Sequence, residues 1–229
     1  MLLLVVDTSG KQGSIALARA HDDGSCDIIE SVSLAGGMFS AQLVPQVAAL
    51  LSKHGFDKRE LAGFVAASGP GSFTGLRVGL AAIKGLAEVL GKPVATVSLL
   101  EIVAISAPVR SDVISVLDAG REGVYVGNYQ VTEAGVLPVS ESLMSKDALL
   151  ELSEKVIVRS SVIVTPDRNI AEALRAKGLS CLEVEKPTVA AIARLGWKKL
   201  LSGTTISPEA LEANYVGRSD SQIFSVAKS

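Results

Sequence analysis

Residues 68–79 read SGPGSFTGLRVG and join an apolar strand pattern to the start of a helix pattern. Glycines let the backbone turn sharply and bring its N–H groups close to a ligand, while Ser72 or Thr74 can cap the helix. Helix N-termini attract anions, and Arg77 would add a donor one turn into the helix. The stretch is therefore either an anion-binding loop, built from Gly71, Ser72, Thr74 and Arg77, or a structural loop in which these residues only shape the chain.

A hairpin pattern occurs once in each half of the chain. Residues 2–7 (LLLVVD) and 113–118 (VISVLD) are apolar strands that end in an aspartate, and each is followed by a small-residue turn and a second strand. Strand and helix patterns alternate after both hairpins, which favours a layered α/β fold over an all-α or all-β fold. We therefore predict two related domains, at 1–106 and 107–229, with the C-terminal tail returning towards the first.

The helix pattern at 74–90 is apolar on one side and carries glycine and alanine on the other. A helix that is apolar nearly all round is buried on more than one side. Together with the preceding helix pattern at 40–53, it is predicted to form part of a subunit interface. The candidate interface residues are Leu43, Val47, Leu50, Leu76, Leu80, Ala82 and Ile83.

Composition limits the partners that this chain can bind by itself. Its formal net charge is −2 and aromatic residues make up 4%, so neither a basic surface nor a stacking platform for nucleic acid is expected. The apolar run at 2–6 is too short for a signal peptide or a membrane span, which predicts a cytoplasmic protein without membrane contact. Cys26 and Cys181 lie far apart without metal-ligand spacing, so neither a zinc site nor a disulfide is expected.

The chain resembles the TsaB (YeaZ) family of tRNA threonylcarbamoyladenosine (t6A) biosynthesis proteins. The most specific element is 68–79, supported by 4–9 (LVVDTS), 117–125 (LDAGREGVY) and 214–218 (NYVGR). The resemblance implies the actin-like ATPase (ASKHA, ribonuclease H-like) fold, with two similar βββαβαβα-type domains. It also implies a heterodimer with the catalytic relative TsaD, joined in many bacteria by the ATPase TsaE, with tRNA reached through the partner. When alone, the chain could form a homodimer.

The catalytic relatives carry a metal-binding histidine pair, H-x-x-x-H, in a VNHLEGH segment. The matching segment here is 97–103 (VSLLEIV), in which Leu99 and Val103 replace the two histidines. Aliphatic side chains offer no lone pair to a cation, so we expect no metal site and no catalytic residue in this chain. A metalloprotease is excluded in the same way, because the sequence has no HExxH motif.

Asp7 and Asp118 match the positions at which actin-like kinases hold metal and phosphate. With Thr8 and Arg121 they are candidates for a nucleotide or anion site, and they keep open the alternative of a small-molecule kinase or ATPase. An aspartate after a strand also commonly accepts hydrogen bonds from turn amides, which is the structural alternative. The resemblance leaves ATP or ADP with Mg²⁺ as ligands of the complex, and no cofactor is assigned to this chain alone.

Overall fold

The computed structural model describes residues 1–121, 123–156, 161–214 and 216 of the 229-residue chain. The chain divides into two compact units. Of the described residues, the N-terminal unit contains 1–99 and 187–214, and the C-terminal unit contains those from 100 to 186 and Val216. The predicted boundary at 106 thus differs from the observed one, and the long segment 187–214 belongs to the first unit. Glu122, Tyr215 and residues 217–229, which include part of the NYVGR motif, lie outside the described residues.

The secondary structure alternates between strands and helices in both units. The elements before residue 105 are β1 (Leu2–Asp7), β2 (Gly13–Ala20), β3 (Cys26–Leu34), α1 (Phe39–Lys53), a 3₁₀ turn (Lys58–Glu60), β4 (Leu61–Gly69), α2 (Phe73–Leu90), β5 (Val94–Ser98) and α3 (Leu99–Ala104). The later elements are β6 (Ser111–Gly120), β7 (Gly123–Thr132), β8 (Gly135–Ser145), α4 (Lys146–Val156), β9 (Val162–Thr165), α5 (Arg168–Ala176), β10 (Cys181–Glu183) and α6 (Val189–Leu201).

Each unit is built on a five-stranded mixed sheet with the same topology. The strand orders are β3-β2-β1-β4-β5 and β10-β9-β6-β7-β8. In each sheet the first three strands form an antiparallel meander, while the last two run parallel to the first. This is the ribonuclease H-like arrangement of the actin-like ATPases, present twice. The predicted fold class is therefore confirmed.

The central strands of the N-terminal unit are buried on both faces, which explains their nearly continuous apolar sequences. Side chains alternate between the two faces of a strand. Leu4 and Val6 of β1 therefore pack in one cluster with Leu43 of α1 and Leu80 of α2. The opposite face is covered by α6, where Gly196 lies so close to Val65 of β4 that an added Cβ would overlap that side chain.

Hydrogen bonds fix α6 to the first sheet, which explains why it belongs to the N-terminal unit. Trp197 Nε1 donates to the His21 carbonyl oxygen at 2.9 Å, and Lys199 Nζ donates to the Thr96 carbonyl oxygen at 3.1 Å. This packing partner could not be predicted from the sequence, because packing between distant segments leaves no local signal. Of the helices that the structure describes, none has the length and apolarity to cross a bilayer.

Candidate functional site

The glycine loop leads from β4 into α2, as its sequence predicts. Ser72 is the N-cap of α2, and its Oγ accepts a hydrogen bond from the Gly75 N–H at 3.3 Å. The Ser72 N–H donates to the Ser9 carbonyl oxygen at 2.6 Å. The capping role predicted for Ser72 or Thr74 is therefore filled by Ser72, and the loop is attached to the turn that follows β1.

Three glycines, each four residues after the last, let α2 lie directly against that turn. A Cβ on Gly71 would overlap the Ser9 carbonyl oxygen, and a Cβ on Gly75 would overlap the Thr8 carbonyl oxygen. A Cβ on Gly79 would overlap Thr8 Oγ1. Close backbone approach is a common reason for glycine in such positions. The glycines of this motif are thus explained by packing within the unit, which is the structural alternative stated for the loop.

Asp7 and Thr8 belong to the same turn, where Asp7 accepts hydrogen bonds and Thr8 packs against α2. Asp7 Oδ1 accepts hydrogen bonds from the Ser9 N–H at 2.9 Å and from Ser9 Oγ at 2.6 Å. Thr8 is 2% exposed and contacts α2 at Gly79. This hydrogen bonding is that of an Asx turn, in which an aspartate stabilises the backbone after a strand. Asp7 therefore has a structural task whether or not it also meets a ligand.

A cavity of about 270 Å³ opens beside the glycine loop. Lys11, Ser72 and Thr74 are among its lining residues, and it lies between the first turns of α1 and α2. Arg77 is exposed, with its guanidinium group stacked 3.8 Å above the centre of the Phe73 ring. Anion binding by Ser72, Thr74 and Arg77 remains a prediction.

Asp118 lies at the corresponding position in the C-terminal unit. Its Oδ1 accepts a hydrogen bond from the Gly120 N–H at 3.2 Å and forms an ion pair with Lys146 at 3.5 Å. Its N–H donates to Asp167 Oδ2 at 2.8 Å. Arg121 lies in the β6–β7 turn, exposed and with a φ of 45°. The structure thus places Asp118 with Lys146 and Asp167, two residues that the sequence did not single out.

The candidate interface residues need a correction. Six of them are at most 5% exposed and form the core of the N-terminal unit, and Ala82 is partly buried against that core. An apolar helix pattern marks the face that packs inside the unit, so the six buried side chains cannot contact a partner, while Ala82 stays a candidate. The six core residues are Leu43, Val47, Leu50, Leu76, Leu80 and Ile83.

The outward face of α1 is nevertheless largely apolar, whereas the exposed residues of α2 include the charged Arg77 and Glu88 beside Ala81 and Gly85. On α1 the exposed residues include Ala41, Val44, Pro45 and Ala48, and Val44 is 53% exposed. No residue from 39 to 52 is charged. Surface helices normally carry charged side chains outwards, so an uncharged outer face is unusual. We refer to the exposed residues Ala41, Val44, Pro45 and Ala48 of α1 with Ala81 and Gly85 of α2 as the α1–α2 outer face.

The positions of the missing histidine pair lie on α3. Val103 is 1% exposed and packs in a core cluster of the C-terminal unit, while Leu99 is partly exposed. Among the described residues, no group of three or more His, Cys, Asp and Glu side chains is arranged to hold a metal ion.

Each of the two histidines of the chain lies beside a carboxylate near the surface. His21 Nε2 lies 3.4 Å from Asp27 Oδ2, and His54 Nε2 lies 2.7 Å from Glu30 Oε2. Hydrogen bonds from Lys53 and His54 lower the pKa of Glu30. Burial raises the pKa of the Cys26 thiol, which keeps it protonated and unreactive. These groups explain local stability and do not form a catalytic arrangement.

Comparisons with known proteins place this geometry in a family context. A family model described as TsaD, tRNA N6-adenosine threonylcarbamoyltransferase, matches residues 33–190. The tRNA threonylcarbamoyladenosine biosynthesis protein TsaB of Bacillus subtilis (strain 168) is 35% identical over 159 residues, which are 68% of this chain and 67% of that protein. TsaB of Escherichia coli (strain K12) is 30% identical over 139 residues, or 59% of this chain and 58% of that protein.

A solved structure agrees with the fold over almost the whole chain. YeaZ from Pseudomonas aeruginosa covers 94% of this chain and 99% of its own chain, with a TM-score of 0.68 and 23% identity. At 23% identity, this structural similarity shows a shared fold and nothing about function. The family model adds sequence similarity across the glycine loop and α3.

Proposed function

The chain belongs to the TsaB (YeaZ) family, which places it in t6A biosynthesis, and from this premise we propose that it is a non-catalytic subunit that binds a TsaD-type transferase. The observation that carries this proposal is the α1–α2 outer face. It is exposed, it carries no charge on α1 from 39 to 52, and the buried residues of both helices lie beneath it. A surface of this kind suits a protein partner, because interfaces are depleted of charge at their centre.

The replacement of the histidine pair supports the non-catalytic part of the proposal. The family model is described as a transferase, but Leu99 and Val103 stand at the two metal-ligand positions implied by the resemblance. Neither side chain can donate an electron pair to a metal ion. The chain would therefore act on the reaction through its surface, by stabilising the transferase in its active conformation.

The remaining partners follow from the same assignment. In the complex, tRNA would be bound mainly by the transferase, because this chain has a formal net charge of −2 and no excess of basic residues. An ATPase of the TsaE type would join the pair, and the assembly would work in the cytoplasm. ATP or ADP with Mg²⁺ would belong to the complex.

Reconstitution of threonylcarbamoyl transfer to tRNA tests the proposal. We expect no transfer by this chain alone with any divalent metal, and stimulation of transfer when it is added to TsaD and TsaE. Addition of the Val44→Asp variant should stimulate far less, whereas Val139→Asp, which makes the same change at a 65% exposed valine of the C-terminal unit, should stimulate normally. Transfer by the isolated chain, or TsaD activity that does not respond to it, would overturn the proposal.

A further inference from the structure

The α1–α2 outer face ends in a cavity at the first turns of its two helices. The cavity has a volume of about 270 Å³. It is lined by residues 10–11 of the turn after β1, by residues 36–37 before α1, and by the first turns of α1 and α2. Ser40 lines the cavity and is followed directly by Ala41 of the outer face. The cavity and the outer face therefore form one continuous surface.

The cavity exists because much of its lining is backbone. Four of the lining residues are glycines, namely Gly10, Gly36, Gly37 and Gly75. A Cβ on Gly36 would overlap the Lys11 carbonyl oxygen, and a Cβ on Gly75 would overlap the Thr8 carbonyl oxygen. Close backbone packing thus excludes side chains at these two positions, which leaves the space beside them open.

The side chains of the lining combine an apolar interior with a polar rim. Phe39 is 6% exposed and Val78 packs against the hydrophobic core, so both belong to the buried side of the cavity. Ser40, Ser72 and Thr74 are exposed and place their hydroxyl groups at the rim. A mostly apolar pocket with a few polar groups suits a ligand group that is apolar at one end and polar at the other.

The charge of the lining distinguishes between the side chains that commonly anchor protein interfaces. Of the described residues that line the cavity, Lys11 alone is charged, so an arginine would be repelled and would find no carboxylate there. A carboxylate would have to lie against Phe39 and Val78, which is costly, and the Ser72 hydroxyl already caps α2. An aromatic ring suits the apolar interior, and the Lys11 ammonium group can lie over its face.

We infer that this cavity receives an aromatic side chain of the TsaD-type transferase, which anchors the transferase on the α1–α2 outer face. Tyrosine suits the cavity best, because its ring would lie against Phe39 and Val78 while its hydroxyl group reaches the polar rim. Aromatic side chains in fully desolvated pockets contribute much of the binding energy of protein interfaces. The inference rests on the proposed function, since it names the group by which the same partner would be held.

A second copy of this chain does not supply such an anchor. Within the described ranges, every aromatic side chain is buried or half-buried, and the residues of the outer face are alanine, valine, proline and glycine. Phe73, a half-buried aromatic residue at the start of α2, is covered by the guanidinium group of Arg77. Self-association would therefore leave the cavity empty, so the transferase should bind more tightly than a second copy.

Filling the cavity from its rim tests the inference. Thr74→Trp places a large ring at the cavity and should weaken the calorimetric affinity for TsaD at least about tenfold. Val139→Trp adds the same ring at an exposed position of the C-terminal unit and should leave the affinity unchanged. Both variants should unfold in urea as the wild type does, followed by circular dichroism. Undiminished affinity of the folded Thr74→Trp variant would overturn the inference alone, whereas a wild-type chain that does not bind TsaD would overturn the proposed function as well.

Substitutions in the transferase identify the anchor. The exposed aromatic residues of TsaD would be replaced by alanine one at a time. One replacement should weaken binding to the wild-type chain at least about tenfold and should have little further effect on binding to Thr74→Trp, because both changes remove the same contact. Additive effects for every aromatic residue of TsaD would contradict the inference.

A small probe tests the cavity without the partner. 4-Methylphenol has the ring and hydroxyl group of tyrosine, so it should cause saturable shifts of the amide signals of 36–37 and 74–78 in the full-length ¹⁵N-labelled chain. Thr74→Trp should abolish these shifts, and sodium phosphate should not compete with the probe. Shifts of the same signals caused by phosphate and not by 4-methylphenol would contradict an aromatic site and indicate an anion site.

Discussion

Gly79 of α2 lies so close to Thr8 of the β1–β2 turn that a single added Cβ would overlap Thr8 Oγ1. This contact joins the two most recognisable segments of the sequence, the hairpin aspartate turn and the glycine loop. The glycines of the loop are therefore explained by the close packing of α2 against the turn after β1. They do not by themselves indicate a bound nucleotide.

Replacing Gly79 with alanine should destabilise the N-terminal unit by about 1–3 kcal/mol, as overpacking in a well-filled contact typically does. The fluorescence of Trp197, the only tryptophan of the chain, would follow unfolding of this unit in urea. Thr8→Ala should recover part of the loss in the double variant, because it removes the atom that clashes.

Gly85→Ala is the matched control on the same helix. No atom lies within 4 Å of the position that its Cβ would occupy, so this change should stabilise the unit by up to about 1 kcal/mol through helix propensity. Equal effects of the two alanines would contradict the packing account of the glycine loop.

The cluster of Glu30, Lys53 and His54 predicts a pH-dependent contribution to stability. Its hydrogen bonds lower the pKa of Glu30 in the folded chain. The stabilisation is therefore present above the ordinary carboxyl pKa of about 4.3 and is lost as the pH falls through the folded value. Glu30→Gln should lower Tm at pH 7, and in acid, below the lowered pKa of Glu30, its Tm should meet that of the wild type.

A matched change at another exposed ion pair serves as the control. Glu133 pairs with Arg110, and both side chains are more than 70% exposed, so Glu133→Gln should change Tm little at either pH. A Tm difference for Glu30→Gln that stays the same from pH 7 down to acid would show that the carboxylate charge is not responsible.

The α1–α2 outer face also predicts how the free chain behaves. An exposed, uncharged helix surface is a site for association, so we expect the isolated chain to form dimers through this face as its concentration rises. Light scattering after size-exclusion chromatography would measure this. Val44→Asp should keep the chain monomeric, and TsaD should compete with the second copy. Dimers that persist in Val44→Asp would place self-association on another surface.

Much of the fold could be predicted from sequence because its signals are local. The repeated apolar strands ending in Asp7 and Asp118, and the loop that begins at Ser68, indicated two related α/β halves and the start of α2. The third strand of the second sheet, β8, had no clear pattern because it is an exposed edge strand interrupted by Pro138. The helix pattern was placed at 40–53, whereas α1 begins at Phe39 without a side-chain cap.

The sites were harder to predict because they depend on which residues the fold brings together. Leu43 and Leu80 recur at helical spacing, a pattern shared by residues of a subunit interface and residues of a protein core. Only the packed structure shows that both belong to the core. Lys146 and Lys186 meet at one cavity although forty residues of sequence separate them. Neither position stands out in the sequence, since single lysines at exposed positions are common.

The most direct test of the account is the affinity of the purified chain for TsaD, measured by isothermal titration calorimetry. Val44→Asp on the α1–α2 outer face should weaken binding at least about tenfold, because a buried charge at an interface centre is costly. Val139→Asp should bind as the wild type does, and both variants should show wild-type unfolding of the Trp197 signal. Undiminished affinity of the folded Val44→Asp variant would contradict the claim that this chain acts through that face.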